Sequence, residues 1–228
     1  MVRTLLTLAG ALTLATGSLT AQAADAVLDI YLARHGQTAW NLEKRLQGAT
    51  DNVLNDTGKS QARQLGDTLK GVRFTAVYTS SLVRARETAA IALPKVPAKA
   101  LPALAERSFG KFEGMFEDER SGELGPEFKA RATTPADSLD GGESLDSQAQ
   151  RVAQAVDQIR TRHSAGNVLV VSHGGVTPLI LARLLQLPTL EAVSRIKQAN
   201  DEVYLVRLRS GQAPALWKLI GQENLEQL

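Results

Sequence analysis

The chain has 228 residues, 43% of them hydrophobic, and Lys plus Arg at 26 nearly balances Asp plus Glu at 24. That length and apolar share suit a globular protein with a sizeable core, and the near-balance, with no Lys/Arg block, argues against a nucleic-acid partner. Cysteine is absent, which excludes disulfides, thiol catalysis, a lipid-modified N-terminal Cys and Cys-built metal sites.

The first segment, MVRTLLTLAGALTLATGSLTAQAADA, carries one cation, Arg3, then an apolar stretch from Leu5 to Leu19. It ends in Ala21-Gln22-Ala23, small residues at the two positions a signal peptidase reads. This is the tripartite pattern of a secretory signal peptide, with cleavage expected after Ala23. Thr, Gly and Ser interrupt the stretch and make it marginal as a membrane span, so no stable membrane anchor is expected. The expectation is a signal peptide over 1–23 and a periplasmic or secreted chain over 24–228.

VLDIYLA, from Val27 to Ala33, reads as a short buried strand. DTGKSQARQLGDTLKG reads as a helix with Asp56 as cap and Ala62, Leu65 and Leu69 on one face. RFTAVYTS is a second strand, and SSLVRARETAAIAL a Ser-capped helix that ends before Pro94. VPAKALPAL is short and extended, and the text from Phe109 to Gly142 is irregular. A long helix follows, with Leu145, Ala149, Val152, Val156 and Ile159 on one stripe. NVLVVSHGG is a strand, VTPLILARLLQL a helix with Pro178 in its first turn, and DEVYLVRLR and APALWKLI a closing hairpin.

Alternating strands and helices predict a three-layer α/β/α sandwich around a mostly parallel sheet, with an antiparallel edge strand from the hairpin. The sheet resumes after the irregular segment, so residues 109–142 read as a small inserted cap. In such sheets ligands bind beyond the carboxyl ends of the strands. The first strand ends in Arg34-His35-Gly36 and a later one in His173-Gly174-Gly175, so two of the three histidines share one rim. Arg84 lies in the first turns of the helix after the second strand. The third histidine, His163, closes a long helix and reads as a solvated cation at its C-terminal end.

Two imidazoles, two arginines and glycine-rich turns suit an oxyanion such as phosphate. Gly36, Gly174 and Gly175 would let backbone N–H groups approach it, helped by the positive end of the following helix. A neutral imidazole in that setting can attack phosphorus and carry the phosphoryl group, and neighbouring arginines keep it neutral. Metal binding is the rival reading of the two histidines. It is opposed by few neighbouring carboxylates, no HxH or HExxH spacing and nearby cations. A purely structural pair of buried histidines is the other rival.

RHGQTAWNLEKRLQGATDNVLNDTGKSQA, SSLVRARETA, LAERSFGKFEG and VVSHGG, in that order, resemble the motif set of the histidine phosphatase superfamily, in the branch that includes cofactor-dependent phosphoglycerate mutases. The resemblance spans nearly the whole chain after the first segment. It implies that Arg34 and Arg84 clamp phosphate, His35 becomes phosphohistidine, Glu106 is the general acid and His173 holds the transferring oxygens. Asn41, Gln47, Gly48 and Gly174 match accessory positions around phosphate and substrate. Arg86 falls on the opposite side of its helix from Arg84 and reads as a surface charge. Glu113 is the rival acid, and Trp40 either walls the pocket or packs in the core.

The family holds phosphatases, mutases and silent binders. Gln47, SHGG in place of the mutases' usual SHGN, and the short insert favour a phosphatase. So does the export pattern. The expected activity is hydrolysis of a small phosphomonoester to inorganic phosphate, with no metal or other cofactor. A phosphomutase and a non-catalytic phospholigand-binding module are the alternatives. Phe112, Met115, Phe116 and Phe128 of the insert are candidates for the leaving-group pocket, or for packing of the insert itself.

Overall fold

The computed structural model describes residues 26–220 and 223–227. The signal-peptide reading and its cleavage site after Ala23 lie outside the described residues.

β1 (Val27–Arg34) is the aliphatic run expected, buried along nearly all its length. The single turn α1 (Ala39–Leu42) follows, capped reciprocally by Thr38 and Asn41. α2 (Asp56–Thr68) buries Gly58, Ala62 and Leu65; its cap is Asn55, whose side chain accepts from the Gly58 N–H, not Asp56. β2 (Phe74–Thr79) leads to α3 (Val83–Ala92). The expected serine cap of α3 is absent: its first amide donates to Asp51 at 2.6 Å, and the Ser80 hydroxyl is engaged elsewhere. β3 (Ala98–Ala100) is short, as read.

The insert is less irregular than its text. It carries α4 (Leu124–Ala132) and 3-10 turns, which pack a small core of Leu46, Phe112 and Leu139 with Phe109, Met115 and Phe128. α5 (Leu145–Arg162), β4 (Gly166–Ser172) and α6 (Thr177–Leu185) agree with their patterns. α7 (Thr189–Arg195) was not expected; Pro188 stands before it and it spans only seven residues. β5 (Val203–Arg209) and β6 (Ala215–Ile220) form the hairpin, and β7 (Glu223–Gln227) adds a further strand.

The sheet order is β3-β2-β4-β1-β5-β6-β7. The first four are mutually parallel, and β5, β6 and β7 are each antiparallel to the neighbour before. The antiparallel part is therefore three strands, where the sequence suggested one edge strand. One face buries Leu28, Ile30, Leu32, Val168 and Val170 under α5 and α6. The other buries Tyr31, Ala33, Leu169 and Val171 under α2 and α3. These are the three layers expected, since a central parallel strand must be apolar on both faces. Among the described residues no helix is long and apolar enough to cross a membrane.

Candidate active site

β1 and β4 are in-register parallel neighbours, with Arg34 opposite Ser172. Their last residues therefore emerge side by side, and His35 N–H donates to the Ser172 carbonyl at 2.9 Å. The His35 and His173 rings lie 5.1 Å apart, centroid to centroid, and both side chains are buried. Asn200 holds the His35 carbonyl at 2.6 Å. His163 is elsewhere, half-buried against Tyr78, with Nε2 2.9 Å from the hydroxyl, and so is not the freely solvated side chain expected.

His35 Nδ1 lies 2.8 Å from the carbonyl of Gly36. A carbonyl only accepts, so Nδ1 carries the proton and Nε2 keeps its lone pair. Burial, then Arg84 and Arg34, push the imidazole well below its usual pKa of 6.5. His173 is held neutral by the same causes. Its Nε2 lies 2.7 Å from Ser80 Oγ, which also accepts from the Leu82 N–H. The Ser80 O–H has no other acceptor among the described residues, so it donates to Nε2, and Nδ1 carries the His173 proton.

That Nδ1 is buried and has no partner among the described residues. The same is true of Arg34 Nε and Arg84 Nε. Other atoms of each guanidinium hold it in place: Arg34 Nη1 donates to the Gln198 carbonyl, and Arg84 Nη1 and Nη2 to those of Thr50 and Gly48. Arg84 is completely buried, while Arg86 is exposed, as the helix spacing implied. Buried donors without acceptors cost about 1–3 kcal/mol each, so three clustered around two neutral histidines define a seat for an anion.

The seat opens into a cleft of about 380 Å³. Arg34, Arg84, Glu106, Asn41, Gln47, Gly48 and Gly174 all line it. Thr38, completely buried, orients two of them: its backbone N–H donates to Asn41 Oδ1 at 3.1 Å and its hydroxyl lies 2.9 Å from Gln47 Oε1. Both amide nitrogens are thereby left to the cleft. Gly48 adopts a left-handed φ of 54°, and its carbonyl fixes Arg84.

The glycines differ from expectation. Gly36 N–H donates to Thr88 Oγ1 and is not free for an anion. Its lack of a Cβ serves packing, because one would lie 2.4 Å from the Gly58 carbonyl oxygen of α2. Gly175 N–H donates to Glu106 Oε2, and the next two amides turn back onto the His173 carbonyl. The start of α6 thus supports the Glu106 carboxylate rather than the anion seat. Gly174 lies beneath the Arg34 guanidinium, where a Cβ would come within 3.2 Å.

Glu113 does not reach the cleft. Its carboxylate accepts from Thr50, Ala49, Phe109 and Ser108. Burial raises its pKa, and those hydrogen bonds outweigh that and hold it below the usual range. It is a clasp between the two loops, not an acid. Trp40 lies over Gly114 and outside the cleft lining. Phe112, Met115 and Phe128 belong to the core of the insert, and Phe116 is sandwiched between Arg45 and Arg120; Phe109 is the aromatic that lines the cleft.

Arg45, Glu117, Lys197 and Gln198 also line the cleft and were missed in the sequence. They arrive through non-local packing, and only Arg45 stood inside a quoted motif. Among the described residues, no group of three or more His, Cys, Asp or Glu side chains is placed to hold a metal ion.

A mixed α/β sheet with a neutral histidine pair at the ends of two parallel strands, and two buried arginines beside it, defines an enzyme that handles phosphate esters. The model of the histidine phosphatase superfamily (branch 1) matches residues 30–219, and the chain belongs to that family. It is 37% identical over 192 residues to a metal-independent phosphoserine phosphatase of Arabidopsis thaliana, covering 80% of this chain and 77% of the relative. It is 36% identical over 190 residues to phosphoglycerate mutase-like protein 4 of the same plant, covering 80% of each. A mutant phosphoserine phosphatase of Entamoeba histolytica, solved with phosphoserine, superposes with a TM-score of 0.71 at 27% identity, over 83% of this chain and 94% of that one. The chain is an enzyme of the histidine phosphatase class.

Proposed function

We propose that the chain is an exported phosphomonoesterase that works through phospho-His35 and needs no metal. The observation that carries this reading is the convergence of His35 Nε2, left as a lone pair, with the unpaired donors of Arg34, Arg84 and His173. Export rests on the pattern of residues 1–23 alone.

In the first half-reaction the Arg34 and Arg84 guanidinium groups hold the non-bridging oxygens and His173 Nδ1–H donates to them. His35 Nε2 attacks phosphorus, the P–O ester bond breaks, and Glu106 gives a proton to the departing alkoxide. In the second, Glu106 takes a proton from water as its oxygen bonds phosphorus and the N–P bond breaks. Inorganic phosphate leaves and His35 returns neutral. Fixed donors aimed at charge that develops in transfer supply most of the acceleration, so no metal ion is required.

The outer cleft indicates the leaving group. Arg45 and Lys197 bring cations to it, and Glu117 a carboxylate with no ion pair among the described residues. Cations and a carboxylate on one cleft wall complement a substrate that carries both charges, the carboxylate meeting an ammonium group and the cations a substrate carboxylate. The reading is a small zwitterionic phosphoester such as a phosphorylated amino acid, which agrees with the phosphoserine phosphatases among the relatives.

A panel of phosphoserine, phosphoethanolamine, phosphoglycolate and 3-phosphoglycerate, read as phosphate release, tests this. Amino-bearing esters should be preferred, and Glu117→Gln should lose that preference about tenfold. Equal rates across the panel would remove the substrate assignment. Isomerisation of 3-phosphoglycerate that outpaces phosphate release would favour the mutase alternative. Export is tested by sequencing the N-terminus of the chain recovered from outside the cytoplasm, which should begin at Ala24; retention of an intact Met1 chain inside would contradict it.

A further inference from the structure

Gln148 is buried on the apolar stripe of α5, one turn from Leu145 and one from Val152. A polar side chain there needs a partner, and its Nε2 has one: Glu106 Oε1 at 3.2 Å. The Arg107 N–H donates to the same oxygen at 3.0 Å. Glu106 Oε2 accepts a single bond, from the Gly175 N–H at 3.0 Å. Gly175 also makes room, since a Cβ on it would lie 2.5 Å from Oε1 and 3.2 Å from Oε2.

We propose that Gln148 and Gly175 are positioning residues that assign different tasks to the two oxygens of Glu106. Oε1 is a fixed acceptor, and Oε2 carries the proton to the leaving group. The proposal rests on the reading of Glu106 as the acid. Two donors fill both lone pairs of Oε1, so a proton there would have to displace one of them. Oε2 has one lone pair free. With the proton on Oε2, the His35–phosphorus bond forms, the electron pair of the breaking P–O bond passes to the ester oxygen, and that oxygen takes the Oε2 proton. Glu106 is left as a carboxylate with three donors already in place. In the second half-reaction Oε2 accepts the proton that water loses. Gly175 keeps the carboxylate from being pushed aside, and Gln148 keeps it from rotating.

Proton delivery is separated from binding by comparing 4-nitrophenyl phosphate, whose leaving phenol is acidic, with phenyl phosphate, whose leaving phenol is not. Glu106→Gln should lose about 100-fold in kcat on phenyl phosphate and far less on the nitrophenyl ester. Gln148→Leu, of similar size on an apolar stripe, should lose about tenfold on phenyl phosphate and under about twofold on the nitrophenyl ester. Gly175→Ala should give the same split. The atoms nearest its new Cβ are the movable end of Glu106, so it serves if the Leu variant unfolds. Equal loss on both esters, or no loss, in a folded Gln148→Leu or Gly175→Ala overturns the proposal while the Glu106→Gln split stands. Absence of that split in Glu106→Gln overturns the acid reading itself and the proposal with it.

Discussion

The contact between His35 Nδ1 and the Gly36 carbonyl fixes which imidazole nitrogen can react, and burial with two arginines keeps that nitrogen unprotonated. The consequence is a pH profile. A free imidazole loses nucleophilicity below about pH 6.5, where it protonates. His35, held well below that value, stays competent at more acid pH, so the acid limb of kcat/KM from this group lies well under 6.5. An acid limb centred at 6.5 that stays there when the substrate's own phosphate pKa is changed would show that burial and the arginines do not lower it. His173 depends on a neighbour in the same way. Ser80→Ala removes the donor to Nε2 and frees the proton to move there, leaving Nδ1 without one. The expected result is a loss in kcat of about tenfold, the value of one hydrogen bond to a charged group, with substrate binding by the arginines nearly intact. An unchanged kcat would mean that His173 does not donate through Nδ1.

At the scale of elements, the insert is held by Arg107 as much as by its own small core. Arg107 is buried and donates to the carbonyls of Glu143, Ala132 and Asp137, which joins the end of α4 to the start of α5. Arg107→Met would leave these carbonyls without their donor, at a cost of about 2–4 kcal/mol in stability. Because Phe109 and Glu117 of this segment line the cleft, KM should rise more than kcat falls. Denaturant midpoints and a kinetic split check both parts. Elements with a strong period were legible: β1, β2, β4 and α5 needed only their apolar spacing. α4 was not, because GELGPEFKARA carries Gly, Pro and charges in place of a stripe, and its helix is stabilised by packing against the rest of the insert. The serine cap of α3 failed for a related reason: local sequence cannot show that Ser80 turns to His173, 93 residues away, while Asp51 caps the helix. Arg34, His35, Arg84 and His173 were legible as strand-end and first-turn residues. Gln148 had a signal that went unread, a polar residue on a buried stripe.

For the molecule as a whole, the same neutral histidines make stability depend on pH. Their folded pKa values lie well below 6.5, so the unfolded chain binds protons that the folded chain refuses. Stability is greatest above about pH 6.5 and falls as the pH drops below it, with a slope approaching about 2.7 kcal/mol per pH unit for two such groups. An anion in the seat binds only the folded state and offsets the loss by mass action. Thermal melts from pH 7.5 to 5 should therefore show a falling Tm that inorganic phosphate restores. A flat Tm across that range would contradict the buried, neutral state of the pair.

The claim on which the rest depends is that His35 becomes phosphorylated. Rapid quench of the enzyme with a ³²P-labelled phosphoester, followed by peptide mapping under alkaline conditions that preserve phosphohistidine, measures this directly. Label on the peptide that contains His35, absent from His35→Ala, is the expected result. Turnover with no label on that peptide, or full activity in His35→Ala, would contradict the account.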